Sequence, residues 1–383
     1  MRTSVFTGTV IAGIGGPLAL MVIFLPGTAG DALPASGLTI VLAALVFIAP
    51  LAIWLGFSEK IVSAGGLTAF VEAAAGKPVA RIQAGIWIVS YFLYLPYTIY
   101  DINYEILGPV FPGLVPYQHS LELLLPLAIC LFAFMSLRTS ATILAVVGVG
   151  QLVLVAILGG LLFAHGGASS SAFTAHVGAE PLARGVGGIA LLFICASLPL
   201  FFGAEVAGGT AAVRRGLIWG YGIVAVFLIF AFVPFATGAG NGAGGELSGV
   251  SLAQAYGGRP LAVAIGIGTA ASVASLLVLE LLALGRLVHY LVGTPIRPTL
   301  AAIAVPFVVA DAFSLLNPKR FDELFSRPSL IALFASQIIV FGVYPLYRRG
   351  QKRRMLTALT AASIATPLAG YGLYLAIAGL GSS

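Results

Sequence analysis

Two short runs interrupt an otherwise helix-forming, apolar chain, and both leave backbone polar groups free to hold a small solute. The first is Gly13-Ile14-Gly15-Gly16-Pro17. Glycine lowers helix propensity, and proline removes an intrahelical donor and clashes with the preceding turn. Amide groups freed around Gly13, Ile14, Gly15 and Gly16 would sit at the start of a half-helix, where partial positive charge suits a carboxylate. A glycine there has no Cβ to block close approach. The second run carries Ser197, Pro199, Phe201, Phe202 and Gly203. Its freed carbonyls and the Ser197 hydroxyl suit an ammonium group. The pair of runs predicts a site for an amino acid or a related amine.

Other polar residues stand out because their surroundings are apolar. Glu205 follows the second run directly. Charge within a membrane-spanning run is costly and usually functional, and desolvation favours a neutral carboxyl, so Glu205 is the candidate for proton coupling; a neutral structural hydrogen-bonder is the alternative. Thr269, Ser272 and Ser275 offer oxygens of the kind that hard cations prefer, which makes them sodium-site candidates, although membrane hydroxyls more often bond backbone or neighbours. Glu280 is a second intramembrane acid, six residues before Arg286 and within reach of pairing with it. Tyr91, Tyr94, Tyr97, Asp101 and Tyr104 recur at helical spacing, either as a vestibule lining or as a packing face.

The elements that must carry these residues follow from composition. Of 383 residues, 60% are hydrophobic and 8% are charged, against roughly 25% charged in soluble domains. The exterior must face lipid. Spanning a ~30 Å hydrocarbon core takes about 20 apolar residues. Eleven runs qualify, at about 5–26, 37–57, 82–104, 120–137, 140–163, 186–208, 217–238, 260–285, 298–316, 328–346 and 356–379. In lipid these are helices, since nothing alternates like barrel strands. LTAFVEAAAG, in the loop 59–81, reads as a short interfacial helix, and the Gly-rich stretch 239–258 as a flexible outer loop. With the N-terminus inside, only Arg184, Arg259, Lys319, Arg320 and Arg327 lie outside, and the other fourteen of the nineteen basic residues face the cytoplasm. That bias orients the chain in the inner (cytoplasmic) membrane with a cytoplasmic N-terminus and an outer C-terminus. It also accounts for the net charge of +6 without a nucleic-acid partner.

The two breaks stand in matching places. Gly203 lies 188 residues after Gly15, and the second, third, seventh and eighth runs show a similar offset near 180. Breaks in the first helix of each half are the pattern of inverted-repeat transporters, whose unwound segments bind solute at mid-membrane.

Several motifs carry a family resemblance. The run from Phe57-Ser58-Glu59 through Gly65-Gly66-Leu67-Thr68-Ala69-Phe70-Val71 to Gly76 resembles the second-helix and loop signature of the amino acid–polyamine–organocation (APC) permeases. Gln83-Ala84-Gly85-Ile86-Trp87 with Tyr91 is similar to that family's third-helix opening, Phe201-Phe202-Gly203-Ala204-Glu205 to its Phe-x-Gly-x-Glu segment, and Gly285-Arg286-Leu287-Val288-His289-Tyr290 to the end of its eighth helix. The resemblance implies an all-α polytopic membrane protein with a leucine-transporter-like inverted five-plus-five helix repeat. The first repeat would cover about 5–163, the second about 186–346, and a peripheral helix 356–379 would bring the total to eleven within one transmembrane domain. It implies a secondary active transporter of amino acids or related amines, proton-coupled or an exchanger, with a sodium-coupled symporter as the alternative. The family's Gly-Ser-Gly stands here as Gly13-Ile14-Gly15, its usual aromatic gate as Pro199, and the fifth-helix lysine of some proton-coupled relatives is absent.

Other classes fit poorly. Gly266-Ile267-Gly268-Thr269-Ala270-Ala271 mimics a dinucleotide fingerprint but lies inside an apolar run with no preceding strand, so no cofactor is implied. The four histidines are scattered and suggest no metal centre. Cys130 and Cys195 lie in apolar runs as small hydrophobes. The intramembrane acids are too dispersed for a membrane enzyme, and a channel would want a continuous polar lining.

Overall fold

The structure, a computed structural model, describes residues 1–167, 169–174, 176–237 and 248–378. Every regular element among them is helical. Ten helical stretches are long and apolar enough to cross a membrane, and the first, Thr3–Phe57, runs for 55 residues. At 1.5 Å per residue that is far more than one crossing needs. Gly30, at φ +48°, opens a 3₁₀ turn Gly30–Ala35 that reverses the chain before the helix Ser36–Phe57. The stretch therefore holds two spans, and the count is the eleven expected.

The remaining spans, third to eleventh, are Lys77–Val110, Pro112–Phe134, Leu137–Gly166, Ala179–Glu205, Gly209–Thr237, Ser248–Val292, Ile296–Leu316, Pro318–Arg348 and Lys352–Ala378. The short helix expected in the first long loop is Gly66–Ala75. Of the Gly-rich stretch 239–258, residues up to 247 lie outside the described residues. From Ser248 the chain is already helical, bent at Gly258 (φ +76°), so this part is not the loop that its composition suggested.

The first half of the first span runs through the centre of the bundle, packed by the fifth and seventh spans. Small residues make that possible. A Cβ on Gly8 would collide with Ala145, and one on Gly148 would stand 3.1 Å from the Gly8 carbonyl oxygen. Phe6 and Val10 fill the grooves left by Gly216 and Gly220. Close backbone approach of this kind replaces the hydrophobic drive that lipid does not supply. Outside, Leu131, Val146, Val226, Val305 and Leu356 project away from the protein. These are lipid-facing positions, and they explain how so few charges suffice. The tenth and eleventh spans pack on each other at the periphery, against the third and second.

Candidate functional site

The first span is α-helical from Thr3 to Gly13, leaves the helix over residues 14–16, and resumes at Pro17. Gly15 and Gly16 have φ of +60° and +65°, a region that L side chains avoid, and Pro17 takes the first helical position, where its missing N–H costs nothing. Neither glycine amide donates to a backbone carbonyl among the described residues. The sixth span is α-helical only to Leu192, and Phe193–Glu205 then winds as a 13-residue 3₁₀ helix. Runs beyond three or four residues are uncommon in that form. The break expected at Pro199–Gly203 thus begins earlier, at Phe193. Pro199 denies the Cys195 carbonyl its i+4 donor, and the tighter winding extends upstream. The two breaks touch. A Cβ on Gly15 would sit 3.1 Å from the Leu192 carbonyl oxygen, and one on Gly13 3.3 Å from the Pro199 ring.

Above this junction lies a cavity of about 180 Å³. Gly15, Ile23 and Phe24 of the first span line it, with Val273 and Leu276 of the eighth, and Tyr94, Thr98, Asp101, Glu105 and Ile106 of the third. The positions 94, 98, 101 and 105 form one helical stripe. The aromatic stripe of the third span is therefore divided. Tyr94 and Asp101 face the cavity, whereas Tyr91 is buried between Trp87 and Tyr94 at centroid distances of 4.2 and 6.3 Å. Of the predicted backbone residues, Gly15 reaches the cavity. Ile14 is buried, and Gly16 is turned towards Ser272. Ser197 is buried and donates to the Ile194 carbonyl at 3.1 Å.

Phe201, Phe202 and Gly203 do not join this cavity. They lie towards the side of the bundle that carries the N-terminus, among contacts that link its helices. Phe201 packs on Trp87 at 4.5 Å and under Gly66, whose φ of +49° and missing Cβ admit the ring. Arg286 stands 4.8 Å over the Phe202 ring and pairs with Glu205 at 3.2 Å. Glu205, expected inside the apolar core, is at its rim: its side chain is 35% exposed, and Arg286, 3% exposed, is the buried partner. Arg286 had been a prospective partner for Glu280; the structure gives it to Glu205 instead. Tyr290 donates to Glu72 at 2.8 Å, and Gly65 packs on the Tyr290 ring.

Glu59 closes the same side. It meets Arg348 at 2.8 Å, Arg354 at 2.7 Å and Arg214 at 3.9 Å, tying the second span to the seventh, tenth and eleventh. Burial pushes the Glu59 carboxyl up, but the hydrogen bond and charge of Arg348, with Arg354 and Arg214, outweigh it and hold it below its usual 4.5. A depressed folded-state value means that this contribution to stability is complete above pH 4.5 and is lost as the pH falls below it. Thermal unfolding in detergent is expected to show Glu59→Gln less stable than wild type at pH 7, with the difference shrinking as the pH drops below 4.5.

The sodium-site candidates are partly brought together. Ser272 donates to Gln151 Oε1 at 2.8 Å, Gln151 Nε2 donates to Ser275 at 3.3 Å, and the Ala19 amide, just past the first break, donates to Ser272 at 3.3 Å. Ser275 donates to the Ser272 carbonyl at 2.7 Å. Thr269 is a turn away, bonded to Ile265 of its own helix. The fifth span thus supplies an amide that joins the first and eighth. Gln151 was not foreseen. Its signal was a lone amide in the middle of an apolar run, invisible to a search for charges.

Buried acids form two groups. Glu280 is fully buried, and neither carboxylate oxygen has a hydrogen-bond partner. Glu122 accepts from Asn103 at 2.6 Å and from Ser314 at 2.8 Å, near Asp311, which is also fully buried with both oxygens unpartnered. Glu122 and Asp311 were likewise missed, though each stands in an apolar run.

No family model matches the chain, and no curated protein matches it either. Solved structures do. MhsT in complex with L-phenylalanine superimposes with a TM-score of 0.66 at 14% identity, over 96% of this chain and 98% of that one. The Eremococcus coleocola manganese transporter gives 0.61 at 12% identity, over 97% and 88%. A Na⁺-coupled sialic acid symporter gives 0.58 at 14% identity, over 96% and 89%. These neighbours are transporters rather than enzymes. At such identities the likeness speaks for architecture alone, and the architecture is the leucine-transporter fold of a multi-pass membrane protein.

Proposed function

We propose that the protein is a secondary active transporter that carries amino acids or related amines across the cytoplasmic membrane by alternating access, as an exchanger or coupled to protons. The observation that carries this reading is the pairing of a small cavity at the unwound residues 14–16 with ion pairs and aromatic contacts that cross the opposite side. A continuous pore would be open through that plane. With the N-terminus cytoplasmic, the cavity faces outward, and Glu59, Glu205, Arg286 and Tyr290 form the inner closure. The repeats at about 5–163 and 186–346 rock about this junction, with 356–379 peripheral. The Gly15 and Gly16 amides suit a carboxylate, and the carbonyls near Ser197 an ammonium. A volume of about 180 Å³ lies below the ~300–1,000 Å³ of drug-sized sites, so the solute is small. No group of three or more His, Cys, Asp or Glu suited to a metal converges among the described residues, which favours an organic solute over a metal ion as cargo.

The test is counterflow of labelled substrate in proteoliposomes across a panel of amino acids and amines, with and without a sodium or pH gradient. Exchange of any panel member supports a carrier; its absence with every member defeats the reading.

Glu205 separates two roles. As half of an inner latch with Arg286, it is expected to give a Glu205→Gln variant that samples the inward-open form more often, with increased labelling of introduced inner-side cysteines and unchanged pH dependence of uptake. As the proton carrier, the same variant loses that pH dependence.

A further inference from the structure

Glu280 has no assigned role, and its surroundings define one. It is completely buried, with both oxygens unpartnered. An isolated carboxylate withdrawn from water is costly unless paired, and in a membrane span such a group usually marks the path of a solute or ion. No hydrogen-bond partner is available among the described residues. Arg286, the basic residue nearest along the helix, is committed to Glu205. Among the described residues, the side chains that interact electrostatically with Glu280 are Tyr91, Tyr94, Tyr97 and Cys195, none of them cationic.

Its register places it under the cavity. Val273 and Leu276 line that space, and Glu280 falls on the same face of the eighth span, one turn deeper. Tyr94 belongs to both environments, as a wall of the cavity and a neighbour of Glu280. The helix-one break is at the same depth, since a Cβ on Gly13 would stand 3.4 Å from Leu279 Cδ1. Further out, Asp101 and Glu105 line the cavity, and no lysine or arginine does. Tyr94 aside, the ionisable side chains that line the cavity above Glu280 are thus both acidic.

Resting on the transporter reading above, the geometry points to Glu280 as the specificity-determining residue of the central site. It is a buried carboxyl, set beneath the cavity beside Tyr94, that ionises on meeting a solute with a net positive charge and selects it by pairing with its ammonium or guanidinium group. A zwitterion finds enough complementarity in the backbone at the breaks. A solute with one further positive charge satisfies Glu280 as well. The loss of a charge-assisted hydrogen bond at a buried site costs about tenfold or more in affinity.

The experiment compares wild type, Glu280→Gln and Glu280→Asp in proteoliposomes, by counterflow of labelled L-lysine, putrescine and agmatine against L-leucine, L-alanine and L-serine. The glutamine variant is nearly isosteric, and monodispersity in detergent checks its folding. Wild type is expected to prefer at least one cationic probe. The glutamine variant loses that preference by about tenfold or more, read as the ratio of cationic to zwitterionic counterflow, and the aspartate variant retains part of it. A wild type that prefers zwitterions, with unchanged selectivity in Glu280→Gln, overturns the proposal and leaves the transporter standing. So does equal loss of all probes in a monodisperse variant, which would assign Glu280 to the cycle itself. If no probe exchanges in wild type, the transporter reading fails and takes this inference with it.

Discussion

A Gly16→Ala variant is expected to lose solute counterflow and to unfold several degrees below wild type. Two causes act together. Gly16 has φ +65°, and left-handed backbone costs an L-residue roughly 1–2 kcal/mol. The added Cβ would also overlap Ser272 Oγ. It cannot move aside cheaply, because the neighbouring contact is with the Ser272 backbone, at 3.1 Å from its carbonyl oxygen. Ser272 would have to give way, and it accepts from Ala19 and donates to Gln151. Each buried polar group left unsatisfied adds about 1–3 kcal/mol. Substitution here therefore damages the unwound segment and its fastening to the eighth span at once. Gly27, which has nothing within 4 Å of a would-be Cβ, is the control: Gly27→Ala should leave transport and melting near wild type. Wild-type exchange in Gly16→Ala would mean that this junction is not the site.

The second large effect concerns Gln151. Transport by the wild-type protein is expected to be unchanged when sodium is replaced by choline, and Gln151→Leu is expected to abolish transport and lower the melting temperature. The amide of Gln151 already lies between the hydroxyls that a sodium ion at this place would use, with its Nε2 donating to Ser275 and its Oε1 accepting from Ser272. The Ala19 amide adds another donor to Ser272. Donors directed at these oxygens are expected to take the role of the cation. Leucine fills a similar volume but supplies no hydrogen bonds, leaving the Ser272 hydroxyl without its acceptor and Ser275 without its donor, at about 1–3 kcal/mol for a buried group left unsatisfied. Sodium-dependent uptake in proteoliposomes would contradict this account directly.

Much of the architecture was legible in the chain because lipid imposes harsh local rules. Eleven apolar runs had to be helices, and Gly13 to Pro17 could not continue one. The short helix around Phe70 and the division of the first long helical stretch into two spans also followed from local pattern. What escaped was pairing at a distance. Arg286 reaches Glu205 across 81 positions rather than Glu280 across six, because the 3₁₀ winding of Phe193–Glu205 brings its last residue beside Arg286 of the eighth span. Phe201 and Phe202 were read as substrate contacts from their place beside a break, but the break begins upstream and leaves them in the closure. Gln151 was overlooked because a neutral amide does not register in a census of charge, and Asp311 because nothing local separates a buried acid from one at a span's end.

The junction of Gln151, Ser272 and the Ala19 amide has an electrical consequence. An amide carries no net charge, so when the bundle tilts about this point the fastening itself moves no charge through the membrane field. A full elementary charge crossing that field is worth about 2.3 kcal/mol per 100 mV. A carrier held together at its centre by a bound cation would feel that voltage in its empty return stroke unless another charge balanced it. On the transporter reading above, the junction is indifferent to voltage, and any current that accompanies reorientation reports on the solute and on charged side chains elsewhere, the buried Arg286 among them.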